Sequence, residues 1–229
     1  MGNSRTLGGK KIRIYIIEDH PIFRHGLIQL LNAEAGIDVC GESDNHLSGL
    51  RGVRDQKPDF VVVDISLKDS SGIELIKDIR DYFPKMPILA LSMHDENIYA
   101  ERVLRAGARG YLMKQEAPEI IIRAIRQIME GKVFVSDQMA AKMLSVFAEG
   151  RTNIKGSPVD ILSDRELEVF RMIGEGSSTR QIAEKLHVSI KTVENHRAHI
   201  KDKLNLQGSI ELIQHATLWV QGDSVREKG

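Results

Sequence analysis

The sequence predicts an α/β domain built on a five-stranded parallel sheet, followed by a smaller all-α domain. In the first part of the chain, short β-branched apolar runs alternate with amphipathic stretches of helical length. This alternation is typical of right-handed βαβ crossovers, which place helices on both faces of a parallel sheet. From residue 161 onward only helical periodicity remains, and this indicates the second domain.

Five apolar runs predict the strands. Three of the runs are nearly continuous, as expected for strands that are buried on both faces. The predicted strands are Ile14–Ile17, Ile37–Cys40, Phe60–Val63, Ile88–Leu91 and Gly110–Met113. The predicted helices are Pro21–Leu31, Leu47–Gln56, Gly72–Tyr82, Asn97–Ala106 and Pro118–Met129, of which Leu47–Gln56 has the weakest pattern.

The rest of the chain reads as a linker and a helical domain. Ser136–Ala148 predicts one more amphipathic helix, and the turn-forming residues of Gly150–Asp160 predict a tether. Two capping boxes, Ser163–Glu166 and Ser178–Gln181, predict the starts of two helices. The first ends at Gly174 or Gly176, and the others span Thr179–Leu186, Ile190–Leu204 and Ser209–Val220. The expected organisation is a domain over residues 11–131, a linker helix and tether over 132–160, and a helical domain over 161–229.

Composition and charge argue against several classes of protein. The 32 basic and 32 acidic residues cancel, which gives no support to a strongly basic nucleic-acid binder or to a polyacidic tail. No apolar run approaches the roughly 18 residues of a membrane helix, and the N-terminus lacks the apolar core of a secretory signal. The single cysteine, Cys40, fits a reducing compartment. We therefore expect a cytoplasmic protein with no membrane partner.

Carboxylates follow two of the predicted strands. Glu18 and Asp19 end the first strand, and Asp64 ends the third. Ligands of such sheets bind at the carboxyl ends of the strands, so these groups converge if the two strands are neighbours. Like charges this close repel unless a cation is present, and oxygen ligands select a hard cation such as Mg²⁺. Asp19, Asp64 and a backbone carbonyl just past Asp64 could hold it, with Glu18 acting through water.

Two further strand ends carry polar side chains that suit the same site. Ser92 ends the fourth strand and offers a hydroxyl, and Lys114 ends the fifth and offers an ammonium. A carboxylate nucleophile, a divalent cation, an ammonium and a hydroxyl together indicate phosphoryl transfer to an aspartate.

These residues resemble the receiver domain of two-component response regulators over roughly Lys11–Gly131. The motifs are Ile16–His20, Val61–Asp64, Leu91–Ser92 and Gly110–Lys114. The resemblance implies a flavodoxin-like strand order of 2-1-3-4-5 and a Mg²⁺ or Mn²⁺ cofactor. It further implies that Asp64 is the phosphoacceptor, that Glu18, Asp19, Asp64 and Ser66 hold the metal, and that Lys114, Ser92 and Tyr111 stabilise the phosphoryl group and switch the domain.

The second and third helices of the last domain have helix-turn-helix spacing. The third helix presents Lys191, Glu194 and Asn195, which can read base edges in the major groove. Side chains that can reach phosphates are Thr179, Thr192, Arg197, His199, Lys201 and Lys203. The segments Leu162–Glu166, Ile182–Ala183 and Lys191–His196 resemble the LuxR-type DNA-binding domain of NarL/FixJ response regulators.

That resemblance implies a dimer on double-stranded DNA, with Ile213, Ala216 and Val220 of the last helix at the dimer contact. We expect a transcriptional response regulator whose partner is a sensor histidine kinase. It is not expected to be an enzyme beyond catalysing its own phosphorylation and dephosphorylation.

Three alternatives remain. A haloacid-dehalogenase phosphatase needs a second aspartate two positions after the nucleophile, where this chain has Ser66. A flavodoxin-like flavin binder needs a phosphate-binding loop after the first strand, where Glu18 and Asp19 would repel a phosphate. A receiver that binds DNA as a constitutive dimer, without phosphorylation, is the third.

Overall fold

The structure, a computed structural model, describes residues 11–67, 71–93, 96–148, 158–186 and 188–226. The chain divides into two compact units, residues 1–145 and 146–229. Within the described ranges, none of the helices is both long and apolar enough to cross a lipid bilayer.

The first unit contains the predicted parallel sheet. Its strands run in the order β2-β1-β3-β4-β5, and all of their pairings are parallel. They are β1 (Ile12–Ile17), β2 (Ile37–Ser43), β3 (Phe60–Asp64), β4 (Ile88–Ser92) and β5 (Gly110–Met113). Every residue of β3 and β4 is buried, which confirms that these central strands are covered on both faces.

Helices cover the sheet, and their starts follow from local sequence. They are α1 (Pro21–Ala33), α2 (His46–Gln56), α3 (Gly72–Tyr82), α4 (Glu96–Ala106) and α5 (Pro118–Met129); a further helix, α6 (Asp137–Ala148), follows them in the chain. Proline stands in the first turn of α1 and α5, where its fixed φ suits a helix start and its missing N–H costs nothing. The side chain of Asn45 caps α2 by accepting a hydrogen bond from the Ser48 amide.

The second unit is helical. A short 3₁₀ helix (Pro158–Ile161) precedes α7 (Asp164–Gly174), α8 (Thr179–Lys185), α9 (Ile190–Leu204) and α10 (Ser209–Arg226). Both predicted capping boxes form, at Ser163 with Glu166 and at Ser178 with Gln181.

Several boundaries differ from the sequence prediction, among them two in the second unit. The end of the predicted tether is the 3₁₀ helix, which forms because Val159 is buried in the second unit. Residues 150–157 of the predicted tether lie outside the described residues. The helix predicted to end at Val220 continues to Arg226, because no proline follows Val220 and a single glycine, Gly222, costs a helix only about 1 kcal/mol.

Candidate functional site

Three carboxylates meet at the carboxyl ends of β1 and β3. The two strands are neighbours and pair Ile17 with Val63, so Glu18 and Asp64 leave the sheet side by side. Glu18, Asp19 and Asp64 are all almost completely buried. One ligand atom from each of them, and one from His20, all lie within 4.8 Å of one another.

Lys114 follows β5, an edge strand, and its side chain reaches the cluster at the carboxyl ends of the strands. The register pairs Asp64 with Leu91 and Ser92 with Met113, so Lys114 follows β5 at the same edge. Its Nζ atom lies 2.7 Å from Glu18 Oε2 and 2.8 Å from Asp64 Oδ2, and only 4% of its side chain is exposed. The ammonium therefore bridges two carboxylates in a buried environment.

The charges of the cluster do not balance. The three carboxylates and the ammonium together carry two net negative charges when all four groups are ionised. Burial raises the pKa of Glu18, and the charge of Asp64 raises it further, while Lys114 and the His20 amide act in the opposite direction. A buried, oxygen-rich site with a deficit of two positive charges fits a divalent cation such as Mg²⁺.

Asp64 is held by contacts that sequence reasoning did not identify. The Ser66 amide donates to Asp64 Oδ1 at 3.0 Å, while Oδ2 faces Lys114. Gly72, at the start of α3, packs against the backbone of Asp64, and a Cβ at Gly72 would lie 2.0 Å from the Asp64 carbonyl oxygen. Only glycine fits this close approach, and its position eight residues after Asp64 gave no signal in the sequence.

His20 and Arg24 were also missed. The His20 Nδ1 atom lies 2.8 Å from Asp19 Oδ1 and 3.2 Å from Glu18 Oε1. Arg24 donates to the Glu18 carbonyl at 2.5 Å and to Glu42 Oε2 at 3.0 Å. The signal for His20 was available, since it directly follows the acidic pair and precedes the proline that starts α1.

Ser92 is the last residue of β4, and Tyr111 lies on the neighbouring strand β5. Both side chains are completely buried. The Ser92 carbonyl accepts a hydrogen bond from the Lys114 amide at 2.7 Å, and the Tyr111 amide donates to the Phe134 carbonyl at 3.0 Å. Tyr111 is thus an interior residue, although β5 is an edge strand of the sheet.

The second unit contains the helix pair expected to bind DNA. Val193 and Ile200 of α9 are buried, while Lys191, Glu194, Asn195 and Ala198 are exposed. These exposed residues recur at spacings of three and four, so they share one face of the helix. Thr179 stands at the start of α8 and Thr192 in the first turn of α9, both half-buried, and the Thr192 hydroxyl lies 2.8 Å from Ser189 Oγ.

The remaining phosphate-contact candidates differ in their surroundings. Arg197 is half-buried, and the His199 side chain is 65% exposed. Lys203 donates to Glu166 Oε2 at 2.7 Å. Glu166 is buried in α7, so the Lys203 pair also joins α9 to α7.

The pKa of Glu166 reflects this pairing. Burial by itself would raise the pKa, but the hydrogen bonds from Lys203 and Ser163 outweigh burial and lower the pKa. The carboxylate therefore remains charged inside the unit.

The predicted dimer contact is divided between surface and core. Ile213 is 47% exposed and Val220 is half-buried, whereas Ala216 is completely buried. A Cβ added to Gly174 of α7 would lie 2.4 Å from the Ala216 carbonyl oxygen, so α7 and α10 pack closely at Ala216. In this structure Ala216 belongs to packing inside the unit and presents no surface to a partner.

Comparison with known families matches both parts of the chain. Residues 14–126 match the family described as "Response regulator receiver domain". Residues 160–216 match the family described as "Bacterial regulatory proteins, luxR family".

Similar proteins match most of the chain, two of them over 90% of it. The Oxygen regulatory protein NreC of Staphylococcus carnosus (strain TM300) is 34% identical over 209 residues, which cover 90% of this chain and 96% of that protein. The solved RcsB of Salmonella enterica serovar Typhimurium, bound to promoter rprA in the presence of phosphomimetic BeF3-, is 26% identical with a TM-score of 0.57. It covers 90% of this chain and 98% of its own. A LuxR-family two-component response regulator from Aurantimonas sp. SI85-9A1 is 32% identical, with a TM-score of 0.55, and covers 62% of this chain and 99% of its own.

Proposed function

The chain belongs to the two-component response regulators that join a receiver domain to a LuxR-type DNA-binding domain and regulate transcription, and we propose that Asp64 is its phosphoacceptor. It is a regulator rather than a classical enzyme. The observation that carries the proposal is the bridge from the Lys114 ammonium to the carboxylates of Asp64 and Glu18. A lysine buried against an aspartate at a strand end supplies fixed positive charge where a phosphoryl group would arrive.

The proposed reaction is transfer of a phosphoryl group from a histidine of a sensor kinase, or from a small phosphodonor. A carboxylate oxygen of Asp64 attacks phosphorus, a P–O bond forms, and the P–N bond to the kinase histidine breaks. The histidine leaves with the electron pair of that bond. Lys114 then pairs with a phosphoryl oxygen instead of Asp64 Oδ2, and the Ser92 hydroxyl donates to another. Hydrolysis of the product by water at the same site would be the only other reaction catalysed.

The proposed cofactor is Mg²⁺ or Mn²⁺. Asp19, Asp64 and the Ser66 carbonyl would hold it directly, and Glu18 through water. A bound divalent cation would neutralise charge on the phosphoryl oxygens and make attack by the anionic Asp64 possible. The uncompensated charge of the cluster supports this choice.

The proposed output is a homodimer on double-stranded DNA. Phosphorylation of Asp64 adds charge at a buried site, and Ser92 and Tyr111 would carry the change to the surface of α4 and β5. The DNA-reading residues are proposed to be Lys191, Glu194 and Asn195, and the phosphate contacts Thr179, Thr192, Arg197, His199 and Lys203. The solved Salmonella RcsB is bound to a promoter in the presence of a phosphomimetic. This supports the proposal that phosphorylation and DNA binding are linked in this chain as well. We place this activity in the cytoplasm, where the DNA is.

The test compares DNA binding by phosphorylated and unmodified protein. Fragments are selected from a genomic DNA pool, and the affinity for a selected fragment is measured in both states. Tighter binding after phosphorylation is expected in the wild-type protein, and no gain in the Asp64→Asn variant. Equal binding in both states would favour the constitutive dimer instead.

A further inference from the structure

The His20 side chain faces the carboxylate cluster and has no part in the proposed phosphoryl transfer. Its Nδ1 atom lies 2.8 Å from Asp19 Oδ1 and 3.2 Å from Glu18 Oε1. The side chain is 60% exposed, so it fills no space in the core. Its position therefore calls for an explanation other than packing.

The backbone fixes where the imidazole can be. His20 is the residue before α1, its amide donates to Glu18 Oε1 at 3.0 Å, and its carbonyl accepts from the Arg24 amide at 2.9 Å. Pro21 follows and restricts His20 to extended backbone, where it is observed, with φ −85° and ψ 107°. The ring is thereby held at the mouth of the pocket before any ligand binds.

The spacing of His20 Nδ1 and Asp19 Oδ1 matches that of two ligands around one metal ion. Ligands that occupy neighbouring positions of an octahedral ion at about 2.1 Å are separated by about 3 Å, which is 2.1 Å multiplied by the square root of two. The two atoms lie 2.8 Å apart, close to that value, and Glu18 Oε1, which would reach the ion through water, lies 3.2 Å from Nδ1. The His20 nitrogen and the Asp19 oxygen are therefore spaced to share an ion, although without one they are also at hydrogen-bonding distance.

We propose that His20 contributes Nδ1 as a nitrogen ligand of the metal pocket and so shifts its preference from Mg²⁺ towards later transition-metal cations such as Co²⁺ and Ni²⁺. Imidazole nitrogen suits these ions well, whereas Mg²⁺ prefers a shell of oxygen atoms. The inference rests on the proposed metal pocket and adds a specificity-determining residue to it. Asp19, Asp64 and Glu18 provide the charge, and His20 provides discrimination among divalent cations.

The test is a comparison of cation selectivity. Dissociation constants for Mg²⁺ and Co²⁺ are measured by calorimetry on the full chain, prepared without a polyhistidine tag, and the Co²⁺ absorption spectrum is recorded. In His20→Asn, which keeps a good helix-capping residue at this position, we expect the Mg²⁺-to-Co²⁺ ratio of dissociation constants to fall at least tenfold. We also expect the Co²⁺ spectrum to change. The matched control is His25→Asn, on an exposed position of the same helix, which should leave both readouts unchanged.

The outcomes separate this inference from the proposed function. An unchanged ratio and spectrum in His20→Asn, with Mg²⁺ still bound and Asp64 still phosphorylated, overturns only the role of His20. An equal change for both cations also overturns it, because His20 would then act by charge or hydrogen bonding alone. If the wild-type protein binds neither cation, or if Asp19→Asn binds both as well as wild type, the metal pocket itself is wrong.

Discussion

The ammonium of Lys114 lies 2.8 Å from a carboxylate oxygen of Asp64, although the two residues are 50 positions apart in the chain. Asp64 ends β3 and Lys114 follows β5, so β4 lies between their strands. The parallel register of these three strands brings the two groups to one edge of the sheet. The same ammonium also contacts Glu18 at the end of β1, so Lys114 bridges the carboxylates that follow β1 and β3.

Removal of this ammonium should slow phosphorylation. In Lys114→Met, the phosphoryl oxygens lose a preorganised positive charge, so we expect the rate with a small phosphodonor and Mg²⁺ to fall by about a hundredfold or more. The initial rate of phosphoprotein formation is the measurement. Lys132→Met is the control, because Lys132 is exposed and pairs with Glu130, which is exposed as well. A Lys114→Met rate within a few-fold of wild type would contradict this role.

The raised pKa of Glu18 predicts how Mg²⁺ binding depends on pH. Burial and the neighbouring Asp64 charge hold the pKa of Glu18 above its ordinary value of 4.5. As the pH falls through that raised pKa, Glu18 takes up a proton and the pocket loses a negative charge. Calorimetric Mg²⁺ affinity should therefore decline at a higher pH than an ordinary glutamate would give. Glu18→Gln should bind Mg²⁺ more weakly and with a flatter pH profile over that range.

Glu166 should stabilise the second unit in a pH-dependent way. Its pKa is lowered in the folded state, because the hydrogen bonds from Lys203 and Ser163 outweigh burial. The stabilisation is thus present above the unfolded pKa and is lost as the pH falls through the folded one. At neutral pH, Glu166→Gln should lower the free energy of unfolding by about 1–3 kcal/mol, and this difference should shrink in acid.

Trp219 provides the readout for that prediction. It is the single tryptophan of the chain, and its ring centroid lies 5.8 Å from that of Phe170. Urea unfolding followed by tryptophan fluorescence therefore reports the second unit. Glu175→Gln is the control, because Glu175 makes a more exposed pair with Arg171. Equal effects of the two substitutions at neutral pH would show that the buried contacts of Glu166 add nothing.

Two lysines of α9 should respond differently to substitution. Lys191 is exposed on the proposed DNA-reading face, while Lys203 pairs with Glu166. Lys191→Met should leave urea unfolding unchanged, weaken binding to a selected fragment by about 1–3 kcal/mol and relax specificity at the base that Lys191 reads. Lys203→Met, at a proposed phosphate contact, should reduce the slope of log affinity against log salt by about one and should also lower the urea midpoint. A normal unfolding midpoint in Lys203→Met would mean that the pair with Glu166 contributes no stability.

The strands of the sheet could be predicted from the sequence, because β3 and β4 are buried on both faces and read as continuous apolar runs. It was weaker for α2, whose pattern is poor. That helix forms because Asn45 caps it and Val53 is completely buried against the rest of the unit. Asn45 and Val53 can both be read from the sequence, but the burial of Val53 depends on tertiary contacts.

Contacts between distant positions were harder to predict. The strand-end residues could be grouped because parallel strands end at one edge, but no periodicity predicts that Lys203 pairs with Glu166, 37 residues away. The burial of Ala216 was missed for a similar reason. A stripe of apolar residues on a helix does not say whether its partner is the same unit or a second copy, and for Ala216 it is α7.

Phosphorylation of the Asp64→Asn variant tests the role of Asp64 most directly. Wild-type protein and the variant are incubated with a small phosphodonor and Mg²⁺, and intact mass is measured, with Asp55→Asn of the exposed Arg54–Asp55 pair as the control. We expect the mass increase of one phosphoryl group in wild type and in Asp55→Asn, its loss when Mg²⁺ is chelated, and no increase in Asp64→Asn. Mg²⁺-dependent uptake of a phosphoryl group by Asp64→Asn, at the rate of wild type, would contradict the assignment of Asp64 as the phosphoacceptor.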